Sequence, residues 1–190
     1  MRWMWIDRIV HLEPTKRIVA IKNISLAEDY LHDHFPRVEG VTGEQSKTAF
    51  PPRSFREPTP PMPMMPASLI IEGMAQTAGI LVGHASAFKE KVILAKVVIA
   101  ELDRDATPGH TLRYTAELER RDDAGASTLG VVDLIDPATP GIEAMRIGRI
   151  DLLFSHLDNN LAGVEFPKEN FVFGESFKML LRMSGVEFGG

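Results

Sequence analysis

The sequence predicts an α+β fold, a curved antiparallel sheet wrapped around one long apolar helix. Three observations carry that prediction. The run Ala67 to Phe88, ASLIIEGMAQTAGILVGHASAF, has helical length and is apolar on most faces, so it needs cover on most sides. Strand-like runs flank it, two before and four after. The final three runs are joined by short breaks rich in turn residues, which suit antiparallel hairpins.

Taken in order, residues 5–11 and 16–25 each read as a strand, the second through its β-branched stretch Arg17-Ile18-Val19-Ala20-Ile21-Lys22. Leu26 to His32 reads as a short helical turn with Ser25 as its cap. His34-Phe35-Pro36 breaks it, because Pro36 biases Phe35 away from helix. Residues 37–62 are rich in Pro, Gly, Ser and Thr and have no apolar period, so they read as a long inserted loop. Pro66 opens the apolar helix, a favoured place for proline. Strands are expected at 91–103, 111–121, 127–136 and 142–155. The breaks between them are Asp105-Ala106-Thr107-Pro108-Gly109, Asp122-Asp123-Ala124-Gly125 and Asp136-Pro137-Ala138-Thr139-Pro140-Gly141. A curved sheet around one helix is the hot-dog architecture. One domain over 1–157, with the insert at 37–62, is expected to precede a C-terminal extension, 158–190, whose pattern fades.

Composition narrows the functional classes. Over 190 residues, 44% are hydrophobic and 25% charged, which is ordinary for a globular chain. A net charge of −5 without a long basic run argues against nucleic-acid binding. The absence of cysteine excludes disulfides and thiolate metal sites and fits a reducing compartment, so a cytoplasmic location is expected. The first residues lack the apolar core and cleavage site of a signal peptide, and Asp7 and Arg8 interrupt them early. Ala67 to Phe88 approaches the length of a membrane span, but Glu72, Gln76 and His84 within it favour a buried helix of a soluble domain.

Three points carry candidate chemistry. Glu72 sits early in the helix among Leu69, Ile70, Ile71 and Met74, where an ionised carboxylate is expensive to bury. A protonated carboxyl in an apolar site is a suitable general acid. Gln76 lies four residues on, hence on the same face. The competing reading has Glu72 paired with a basic residue or reaching solvent at the helix edge. His34, taken alone, is an ordinary loop histidine; His32 and His34 lack a third ligand at a recognisable spacing, so no metal site is expected. The helix start leaves N–H groups free at Ala67 and Ser68, where the dipole adds partial positive charge. A carbonyl oxygen placed there would be polarised, and capping by water is the alternative.

Together these residues resemble the 3-hydroxyacyl-[acyl-carrier-protein] dehydratase family. The resemblance lies in His34-Phe35-Pro36, then Pro63-Met64-Met65-Pro66-Ala67-Ser68-Leu69-Ile70-Ile71-Glu72-Gly73-Met74-Ala75-Gln76, then Ala106-Thr107-Pro108-Gly109-His110-Thr111-Leu112. It runs from about residue 5 to 157. The glutamate at position 72 resembles the FabZ-type branch, which dehydrates without isomerising. In this chain Arg37 and Ala67 stand where the family has glycine, and residues 37–62 separate two motifs that are normally near-contiguous. The resemblance implies that His34 accepts the C2 proton of a 3-hydroxyacyl thioester. Glu72 would protonate the departing hydroxyl, and the N–H groups at Ala67 and Ser68 would polarise the thioester carbonyl. Phe35, Met64, Met65 and Gln76 would line the substrate site. It further implies no metal or redox cofactor, an acyl group carried on the phosphopantetheine of acyl carrier protein or coenzyme A, and a homodimer or trimer of dimers.

Other readings stay open at this point. A hot-dog thioesterase or hydratase would share the fold. A non-catalytic acyl-thioester-binding or scaffold protein would follow if the insert held His34 away from Glu72. Pro58 to Pro63 also fits, by composition only, a polyproline ligand. The insert is expected to act as a lid or carrier-docking loop, with a solvated loop as the alternative.

Overall fold

The computed structural model describes residues 3–33, 63–139, 141, 143–157 and 172–186. The insert at 37–62 lies outside them. Its role, and the polyproline reading that falls mostly within it, have no structural counterpart here.

Six strands form one antiparallel sheet in the order β1-β2-β4-β5-β6-β3. They are β1 (Arg8–Glu13), β2 (Arg17–Asn23), β3 (Val92–Leu102), β4 (Thr111–Arg121), β5 (Gly125–Ile135) and β6 (Met145–His156). A short helix, α1 (Asp29–Asp33), follows β2, and the long helix α2 (Ala67–His84) lies between α1 and β3. This is the predicted hot-dog arrangement, with β4, β5 and β6 as consecutive hairpins. The β4–β5 turn is built by Asp122, whose Oδ1 accepts the N–H of Ala124 and Gly125 at 3.0 and 3.1 Å. That tight turn lets β5 start at Gly125, earlier than its polar residues suggest. Ser25 caps a turn ahead of α1 rather than the helix itself, its Oγ accepting the N–H of Ala27 at 3.2 Å.

The sheet buries α2 unevenly. From Gly73 to Gly83 every residue except Gly79 is buried, whereas Ile70 alone is buried among the first six. Two glycines permit the close approach. A Cβ at Gly73 would lie 2.6 Å from the Tyr114 ring and hydroxyl, and one at Gly83 would lie 2.5 Å from Cζ of Phe173. Cover on several sides from Gly73 onward is what the largely apolar part of the helix requires.

The C-terminal residues contain a third helix that the sequence pattern did not bring out, α3 (Glu175–Met183). Phe173, Leu180 and Leu181 are buried and belong to the same core as α2. Phe173 stacks edge-on against Phe88 at 5.0 Å and against Phe177 at 5.8 Å. Ser184 Oγ accepts the Ile9 N–H at 3.0 Å, tying the end of α3 to β1. The apolar spacing at 173, 177, 180 and 181 is helical, but it is short and set among Lys and Gly residues.

Candidate active site

The first turns of α2 are held in place from below. Met65 N–H donates to Ala106 O at 2.8 Å, so the segment before the helix is pinned to the turn after β3. That turn is itself fixed: Gly109 N–H donates to Ile24 O at 2.9 Å and Ile24 N–H donates to His110 O at 3.0 Å. His110 Nδ1 accepts the Thr107 N–H at 3.2 Å. The Ala106–Leu112 motif therefore braces the helix start against β2.

Pro66 is the N-cap and supplies no side-chain cap. Ala67 and Ser68 are exposed, and among the described residues their N–H groups have no acceptor. Their position at the positive end of an 18-residue helix suits an oxygen that gains negative charge. Met64 is half-buried. Met65, expected beside the substrate, is 2% exposed and belongs to the core cluster.

Glu72 is half-buried, one and a half turns along, so it retains access to solvent instead of being enclosed by its apolar neighbours. Its partner is Gln76, whose Nε2 donates to Glu72 Oε1 at 3.0 Å. No basic side chain forms an ion pair with Glu72 among the described residues, so of the two arms of the competing reading the structure keeps solvent access and not ion pairing. Gln76 is 5% exposed and fully engaged. Its Oε1 accepts the Trp5 N–H at 2.9 Å, and its Nε2 also donates to Trp3 O at 3.1 Å. Both amide hydrogens are thus assigned, and Glu72 Oε1 must act as acceptor. Oε2 takes no part in this pairing. Gln76, expected to line the substrate site, holds the Glu72 carboxylate against the backbone of residues 3–5.

Sequence reasoning missed the part played by residues 3–5. This stretch is not a strand; its backbone pairs with the Gln76 side chain in place of a neighbouring strand. The signal available was two tryptophans within three residues. Trp3 meets Trp5 edge-on at 5.5 Å, and Trp5 meets Tyr30 of α1 edge-on at 5.3 Å. An aromatic chain thus links the Gln76 side of α2 to α1.

His34 and Phe35 lie outside the described residues. α1 itself is anchored through contacts of its own and of its approach. Lys22 Nζ bonds Glu28 at 2.6 Å and Asp7 at 3.1 Å, joining β2, the start of β1 and the approach to α1. Burial alone would lower the Lys22 pKa, but the hydrogen bond to Glu28 and the charge of Asp7 outweigh it and hold the ammonium above its ordinary value. Among the described residues, no three His, Asp or Glu side chains are grouped to hold a metal ion, and no helix is long and apolar enough to cross a membrane.

Comparison with known proteins agrees with this geometry. Residues 55–135 match the FabA-like domain. A 3-hydroxyacyl-[acyl-carrier-protein] dehydratase FabZ from Solibacter usitatus is 30% identical over 131 residues, 68% of this chain and 65% of the relative. One of the same name from Listeria monocytogenes is 29% identical over 119 residues, 62% and 66% of the two chains. The chain thus spans 65–66% of the length of these curated relatives. Among solved structures, the dehydratase heterocomplex ApeI:P from Xenorhabdus doucetiae superposes with a TM-score of 0.53 at 15% identity, covering 81% of this chain and 83% of that one. A conserved Pseudomonas aeruginosa protein gives 0.50 at 12% identity, covering 79% and 87%. At such identities the structures establish the fold alone. Residues 55–135 are thus similar to a FabA-like domain, the chain has a hot-dog fold, and it resembles the FabZ-named 3-hydroxyacyl-[acyl-carrier-protein] dehydratases.

Proposed function

We propose that this protein removes water from 3-hydroxyacyl thioesters to give trans-2-enoyl thioesters in fatty-acid or related lipid synthesis. The observation that carries the reading is the pairing, at one end of α2, of N–H groups at Ala67 and Ser68 with a carboxyl at Glu72 whose second oxygen has no hydrogen-bond partner among the described residues. Taking the C2 proton builds enolate charge on the thioester oxygen, which the helix N-terminus stabilises. Hydroxide is a poor leaving group, and a proton from Glu72 Oε2 makes it water. His34 is the base that completes the cycle. The reaction is redox-neutral and runs without a metal or redox cofactor.

The acyl group is delivered on phosphopantetheine, by acyl carrier protein or as a coenzyme A ester, and we place the reaction in the cytoplasm. A homo-oligomer is part of this reading. β3 is an edge strand whose Val97 and Val98 are 38% and 54% exposed, as is Leu153 of neighbouring β6 at 40%. An edge of that kind is ordinarily covered.

The test is to incubate the protein with (3R)-hydroxyacyl-CoA and with the matching carrier-protein thioester. Conjugated enoyl absorbance without free thiol supports dehydration. Free thiol instead would assign a hydrolase, and neither product with any chain length would leave a binding protein.

A further inference from the structure

We infer that Trp3 is a specificity-determining residue of this site, its indole forming an apolar wall for the substrate's acyl chain; the inference rests on the thioester reading above. Trp3 is 61% exposed, although Trp5, two residues on, is 5% exposed in the core. An indole left in water forgoes a large burial term, which a ligand can recover. Its position is not left to chance. Trp3 O and Glu72 Oε1 both accept hydrogen bonds from the single nitrogen Nε2 of Gln76, so the Trp3 backbone is locked beside the acid. The indole is braced edge-on by Trp5, which is braced in turn by Tyr30.

The chemistry sets what the indole can meet. Glu72 must reach the oxygen on C3, so the thioester head lies toward Ala67 and Ser68, and carbons beyond C3 run past the acid. A four-carbon acyl group has one carbon beyond C3 and offers the indole little. A ten-carbon group has seven and lies along it. Trp3 therefore discriminates by chain length and takes no part in proton transfer.

Two measurements test this. The first is kcat/KM on 3-hydroxydecanoyl-CoA relative to 3-hydroxybutyryl-CoA. Trp3→Ala should lower that ratio about tenfold, a loss worth roughly two methylene contacts, and Trp3→Phe should restore most of it. A ratio unchanged in Trp3→Ala overturns the inference. The second uses Trp5→Phe combined with Glu72→Gln, which leaves Trp3 as the single tryptophan and blocks turnover. 3-Hydroxydecanoyl-CoA should shift its emission to the blue and 3-hydroxybutyryl-CoA should not. If that variant fails to fold, the difference spectrum between Glu72→Gln and its Trp3→Phe form gives the same readout. Emission that stays fixed while calorimetry records binding, or that is shielded beforehand in a concentration-dependent way, assigns Trp3 to other contacts. A wild type without turnover on any thioester would sink the dehydratase reading separately, and the emission shift would then decide for Trp3 alone.

Discussion

The two ends of α2 differ in almost every respect. At the C-terminal end, Ile80 to Gly83 are buried, Phe173 closes over Gly83, and Leu180 and Leu181 of α3 extend the seal. At the N-terminal end, Ala67 and Ser68 are exposed, Glu72 is half-buried, and the helix has no side-chain cap. Packing does the work at one end, and unspent hydrogen-bonding capacity is kept at the other. A helix whose first N–H groups are left open gives up a little stability and gains a site for a charged oxygen. The lesson is that one element is sealed core at one end and, under the proposed function, catalytic platform at the other, with the division falling near Gly73.

Substitutions at either end sharpen or break this division. Leu181→Ala at the sealed end should have the largest effect on stability, about 2–5 kcal/mol, because Leu181 is wholly buried. Denaturant titration would measure it, and turnover per folded molecule should hold. A fall in turnover without loss of stability would break the division. Gly83→Ala should cost about 1–3 kcal/mol through overpacking against Phe173 and Phe88, read as a lower Tm. At the open end, Gln76→Leu should cost about 1–3 kcal/mol by leaving Trp5 N–H and Trp3 O unpaired. Unlike the sealed-end changes it should also lower kcat more than it raises KM, because Glu72 loses its orientation.

The smallest effect expected is at Tyr114, whose hydroxyl is buried against Gly73 without a hydrogen-bond partner among the described residues. Tyr114→Phe should change stability by no more than about 1 kcal/mol at neutral pH, since it removes an unsatisfied group. It should matter more in alkali. Burial pushes the Tyr114 and Tyr30 phenols well above their ordinary range, with carboxylates nearby adding to it, and Lys22 is also raised. A group whose pKa is higher folded than unfolded gives its full stabilisation below the unfolded value. That contribution is lost as pH rises past it, here from about pH 10 upward. Tyr114→Phe should therefore flatten the alkaline fall of Tm. An unchanged slope would mean that the phenol titrates in the folded protein.

Much of the division was legible in the sequence. The uninterrupted apolar run of α2 with Glu72 and Gln76 on one face announced both the central helix and its polar strip, and Pro66 marked its start. β4 was read to the residue, because Asp105 to Gly109 and Asp122 to Gly125 bracket it with turn chemistry. What could not be read depended on contacts distant in sequence. The direction in which Gln76 points is set by backbone groups more than seventy residues away. The burial of Met65 in the core, pinned through its backbone bond to Ala106, is likewise set by a residue about forty positions away. α3 was missed because its helical apolar spacing covers barely two turns and acquires meaning only beside Phe88 and β1.

In the proposed function the open end of α2 performs the chemistry through Glu72. The direct test is the rate of enoyl-thioester formation by Glu72→Gln, measured beside the wild type with Tm recorded for both. The rate should be lower by about 10²–10⁴-fold, the usual share of a general acid, at an unchanged Tm. A Glu72→Gln protein that forms enoyl thioester within a few-fold of the wild-type rate would contradict it.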